Sequence, residues 1–135
     1  MTEPLSTEEM LECLNGRAFA HRADANVWAG VAGESETESD VVRWRKREAY
    51  YNRQAEIMET MAAILEVLTH PWFHHTDSWD GRSGESGAFV FLHVPPVNGQ
   101  GAIISCEGPT TIAAFVNAHK AIKEQETAKG GAADA

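Results

Sequence analysis

HPWFHHTDSW, residues 70–79, decides how this 135-residue chain is divided. Upstream of it runs the longest helical pattern in the sequence. Downstream of it lies the clearest strand pattern. Pro71 cannot continue a helix, because it lacks an N–H and its ring meets the preceding turn. The helix therefore ends at this stretch. Phe73–Trp79, rich in aromatic and polar residues, is the candidate for a third strand beside the two that follow.

Upstream, Trp44, Tyr51, Met58 and Leu65 recur every seven residues, joined by Ile57, Met61, Ile64 and Leu68. The spacing predicts one long helix, capped by Ser39 or Asp40 and closed by Pro71. Arg47 and Gln54, taken as the second heptad position, are polar, so the pattern reads as a helix pair or small bundle rather than a coiled coil. Nearer the N-terminus, Ser6 or Thr7 before Glu8 and Glu9 reads as a helix start. Asn15-Gly16 reads as its stop or kink, and Ala-rich Arg17–Val31 as a second helix.

Downstream, FVFLHV (89–94) and AIISC (102–106) read as strands joined through an Asn98-Gly99 turn. Both are apolar on both faces, so the hairpin calls for cover on two sides. Two strands alone are marginal, which favours Phe73–Trp79 as the third. Gly108-Pro109-Thr110-Thr111 opens a last helix with a stripe of Ile112, Phe115, Val116, His119 and Ile122. The expected fold class is α+β: a helical N-terminal half with one long helix, a small antiparallel sheet of two or three strands, and a C-terminal helix packed on the sheet. One domain over 1–129 and a flexible tail over 130–135 complete it.

The chain carries 20 acids against 11 bases, a formal net charge of −9. That disfavours nucleic acid and anionic membranes as partners and permits a basic protein surface. No apolar run reaches the ~18 residues of a membrane span. The acidic N-terminus has no charged-then-apolar leader pattern, so a cytoplasmic location is expected. Five of the eleven bases fall within eleven residues, at Arg43, Arg45, Lys46, Arg47 and Arg53. Pairing with acid-rich segments such as Glu34–Asp40 is the expected fate of these cations. Cys13 and Cys106 read as small buried hydrophobes rather than a disulfide.

Candidate sites gather on the opening stretch. His74, His75, Asp77, Trp79 and Arg82 form the expected binding segment, since Trp offers a large apolar surface with a polar handle beside a glycine-rich loop. His70, His74, His75, Asp77 and His93 are the metal-ligand candidates, because imidazole and carboxylate suit first-row divalent ions. On a regular strand, however, His75, Asp77 and Trp79 share one face and His74 faces away. No HExxH, paired CxxC, GxSxG or Walker pattern is present.

IAAFVNAHKAI (112–122), a short helix straight after the last strand, resembles the C-terminal helix of short accessory proteins of bacteriophages. The resemblance implies an interaction protein acting on a host protein, and assigns no residue a role. The expected function is a small acidic, non-enzymatic protein-interaction module with a protein partner and a homodimeric state. No cofactor is expected for it. The alternative is a metal-binding protein or metal-dependent hydrolase using a divalent ion on the His70–Asp80 segment.

Overall fold

The computed structural model describes residues 3–81, 84–97 and 100–133, and it shows an α+β chain. Helices α1 (Thr7–Glu34) and α2 (Glu38–Thr69) are followed by strands β1 (Phe73–Asp80), β2 (Ser86–Val97) and β3 (Gln100–Gly108), then helix α3 (Thr111–Ala133). The chain forms two compact units, Met1–Ala62 and Ala63–Ala135.

The first unit is a helical hairpin. Ser6 caps α1, its hydroxyl accepting the Glu9 N–H at 3.1 Å. The expected break at Asn15-Gly16 does not occur, and α1 is a single helix of 28 residues. A glycine inside a helix costs about 1 kcal/mol. Here it is outweighed by a seam that continues straight through it. Leu11, Leu14, Ala18, His21, Ala25, Trp28 and Ala32 follow one another at alternating three- and four-residue steps, with the three alanines buried. Gly16 stands on the opposite side, with nothing within 4 Å of a Cβ added there.

α2 starts earlier than Ser39 or Asp40: Thr37 is its cap, accepting the Asp40 N–H at 3.2 Å. Its seam is Val41, Trp44, Glu48, Tyr51, Ala55, Met58 and Ala62, with Ala55 and Ala62 buried. The Trp44/Tyr51/Met58 series is therefore part of a heptad seam. Its companions are Glu48 and Ala55, one residue after the polar Arg47 and Gln54. Across the hairpin, Trp28 stacks on Trp44 with centroids 5.0 Å apart, and His21 on Tyr51 at 6.1 Å. These pairs fix the antiparallel register. One flank is polar: Arg22 donates to Asn52 at 2.9 Å and to Glu59 at 2.6 Å. Along the other, Val27, Tyr50, Ile57 and Met61 stay exposed.

The second unit is an antiparallel sheet of order β1-β2-β3 with α3 on β2 and β3. Phe73–Trp79 is indeed the third strand. Ala88, Val90, Leu92 and Val94 point to the α3 side with Cys106, and meet Ala114, Phe115, Ala118 and Ile122 of α3. Val67 at the end of α2 and Trp72 close the same core. The corner into α3 is tight. An added Cβ at Gly108 would lie 2.6 Å from the Ala114 nitrogen, so only glycine lets strand and helix approach this closely. Thr110 caps α3 by accepting the Ala113 N–H at 3.1 Å. α3 runs to Ala133, into the 130–135 segment expected as a tail. The Asn98-Gly99 turn lies outside the described residues, flanked by the Val97–Gln100 pair.

Candidate functional site

α3 covers only one face of a sheet whose middle strand is apolar on both. The strand register lays out the other face in rows. Asp77, Phe89 and Glu107 stand side by side across the three strands, and so do His75, Phe91 and Ser105. His93 and Ile103 form a third row, and Trp79 lies beside Gly87. Trp79 is 39% exposed and Ile103 64% exposed, while Phe89 and Phe91 are half-buried. The result is an aromatic floor with imidazole and carboxylate groups at its margins.

Trp79 lies flat over the glycine beside it. A Cβ at Gly87 would come within 2.7 Å of Trp79 Cε2 and 2.9 Å of Cζ2. Real Cβ atoms do not approach that closely, so the missing side chain is the seat of the indole. Next along the face, the His75 ring stacks on Phe91 at 4.5 Å and 13°. Phe89 and Phe91 stack at 5.9 Å.

His74 departs from the expectation that it faces away. The β1–β2 register shifts between Phe73, paired with Leu92, and His75, paired with Phe91. His74 is the extra residue of this β-bulge, and a bulge re-aims its side chain. The His74 and His75 rings then meet at 4.6 Å between centroids, with their Nδ1 atoms in hydrogen-bond contact. One ring must supply the N–H and the other the lone pair. The His93 ring is 6.5 Å from that of His74.

The five metal candidates do not converge. His70 belongs to the helix end: its Nδ1 accepts the Trp72 N–H at 3.1 Å, and its Nε2 is 3.7 Å from Glu126. Asp77 Oδ1 accepts the Ser78 N–H at 2.8 Å. His74 and His75 could give a metal two nitrogen donors, whereas protein zinc sites use three or four. Among the described residues no group of three or more His, Cys, Asp or Glu side chains is placed to hold a metal ion. Arg82 lies outside the described residues. Of the expected site, His74, His75, Asp77 and Trp79 therefore share one surface.

Sequence reasoning missed Phe89 and Phe91 as members of it. The signal was there, in the two-sided apolar pattern of β2, but it did not say which face α3 would take. Cys106 is buried on the α3 side, and burial pushes its thiol above the ordinary 9.0. A thiolate is disfavoured there. His119 hydrogen-bonds Glu66, and Lys123 is 3.8 Å from the same carboxylate, which ties the end of α2 to α3. No helix among the described residues is long and apolar enough to cross a membrane. No protein-family model, no curated protein and no solved structure matches the chain.

Proposed function

We propose that this chain is a non-enzymatic protein-interaction module that docks on a partner protein through the open face of its sheet. The observation that carries the reading is the uncovered aromatic floor: Trp79, Phe89 and Phe91 stand on the face opposite α3. Large aromatic side chains with a polar margin are the usual anchors of protein interfaces.

The margin selects the partner. Asp77 and Glu107 flank Phe89 on its two sides, and neither has an ion-pair partner among the described residues. With a chain charge of −9, the complementary surface is an apolar patch rimmed by Lys or Arg. The phage-like helix makes the host cell the place to look for it.

The test is site-specific photocrosslinking in that cell, with a benzophenone side chain at position 79 or 103 and a control at Ile112 on α3. The reading predicts one adduct to a distinct protein from 79 and 103, absent from the control. Its yield falls when Asp77 and Glu107 are changed to Lys. An adduct between two copies of the chain would replace the partner with self-association. Equal labelling from all three positions would overturn the reading.

A further inference from the structure

The basic run of α2 does not pair off as its sequence leads one to expect. Arg45 reaches Glu48 at 2.8 Å and Arg53 reaches Glu56 at 2.9 Å. Arg43, Lys46 and Arg47 have no carboxylate in ion-pair reach among the described residues. Three cations in five residues, left uncompensated on an acidic protein, need another account.

Their neighbours are aromatic. The Arg47 guanidinium lies 4.8 Å from the Trp28 ring centroid and 5.7 Å from that of Trp44. Arg43 lies 5.6 Å from the Trp44 ring. Stacking on a ring face leaves the edge N–H donors of a guanidinium free for two oxygens of an oxyanion. Beside this stack is a shallow cavity of about 310 Å³ lined by Lys46, Arg47, Tyr50 and Tyr51. The two phenol rings meet edge to face at 5.3 Å, and Tyr50 is 59% exposed beside the cavity.

We infer that this cavity is a binding site for a small ligand that joins a phosphate to a planar ring, of the nucleotide class. Lys46 supplies a point charge and Arg47 an oriented fork, the two complementary ways of holding a phosphate. Tyr50, exposed at the cavity, offers ring surface to the base. The volume lies at the small end of ligand pockets, which run from roughly 300 Å³ upward.

Charge decides between a small ligand and a polymer. A ligand inside the cavity lies against Lys46 and Arg47, and at physiological salt charges further than about 8 Å are screened. A longer strand would extend past the basic patch into the field of a chain whose net charge is −9. The site therefore favours a mononucleotide over an oligonucleotide.

The test is titration of the intact protein with ADP, adenosine, inorganic phosphate and a ten-residue thymidine oligonucleotide, read by the indole N–H signals in NMR spectra. ADP is expected to shift the Trp28 and Trp44 signals saturably and to bind at least tenfold more tightly than either adenosine or phosphate. Lys46→Ala, on an exposed side chain, is expected to weaken ADP about tenfold with an unchanged circular dichroism spectrum. Arg47→Ala is expected to weaken it further. Should Arg47→Ala fail to fold, Lys46→Ala decides alone. Equal binding of adenosine and ADP, tighter binding of the oligonucleotide than of ADP, or no shift at millimolar ADP would each overturn the inference.

Discussion

Gly87→Ala is the sharpest probe of the open face. The new methyl would stand 2.7 Å from Trp79 Cε2, so either the indole or the strand must move. Trp79 is 39% exposed and close to solvent, whereas β2 is held by neighbours on both sides, so the indole yields. A tryptophan has up to about 250 Å² to bury, and with three-fifths of it covered some 150 Å² is at stake. At ~25 cal/mol per Å² that is about 4 kcal/mol for complete release, and about 2 kcal/mol if the ring keeps half its contact. In a unit of this size 1 kcal/mol moves the midpoint by about 4–8 °C, so a fall of roughly 8–16 °C is expected.

A double-mutant cycle separates this cause from a general glycine effect. Trp79→Ala removes the group that collides, so adding Gly87→Ala to it should cost almost nothing more. The coupling energy is then about 2 kcal/mol. Thermal unfolding followed at a sheet wavelength measures all four corners. Additive effects, or a single Gly87→Ala within 2 °C of the parent, would show that Trp79 does not rest on Gly87 and would remove the indole from the docking face.

Three further outcomes follow from the same geometry. Gly108→Ala should be the more damaging glycine change, because its Cβ meets the backbone of Ala113 and Ala114 rather than a movable ring; overpacking costs about 1–3 kcal/mol, and denaturant titration should place it at or above the upper end. With a thiol reagent, exposed Cys13 should react at once and buried Cys106 only as fast as the second unit opens; since burial raises the Cys106 pKa above 9.0, its contribution to stability is complete below the unfolded-chain value and is lost as pH rises through the folded one, so Cys106→Ala should flatten the alkaline fall in melting temperature. Arg22→Ala breaks a pair whose members are 40% and 50% exposed, and should cost under about 1 kcal/mol, less at high salt, in the unfolding of the helical hairpin.

The helices show which kinds of sequence signal survive folding. Pro71 ends α2 because a missing N–H and a steric clash act locally, whatever the rest of the chain does. Asn15-Gly16 fails as a stop because it is only a propensity of about 1 kcal/mol, set against seven seam positions that require one straight helix. The heptad is visible at Trp44, Tyr51 and Met58, but its companions are Glu48 and Ala55 rather than the polar Arg47 and Gln54. A helix places residues 47 and 48 a hundred degrees apart, so an offset of one exchanges an exposed flank for the alanine seam at Ala55 and Ala62. Small residues carry little hydrophobic signal, so the sequence pattern does not mark Ala18, Ala25 and Ala32 as buried.

The candidate site turns on one residue that alternation could not reveal. Phe73 faces α3, stacking on Phe115 at 6.1 Å, while His75, Asp77 and Trp79 face the open side. All four are odd-numbered, and a regular strand puts residues i, i+2, i+4 and i+6 on one face. An unbroken β1 would therefore drive two polar residues and an indole toward α3, or turn Phe73 out of the core. A one-residue slip exchanges every side chain between faces, and the bulge at His74 supplies that slip between Phe73 and His75. Core packing at one end of β1 and a docking face at the other are compatible only because His74 is there to be left over. Its ring is thereby brought onto the same surface as His75 and His93, so the residue that sequence periodicity assigned to the wrong face is the one that lets the site exist.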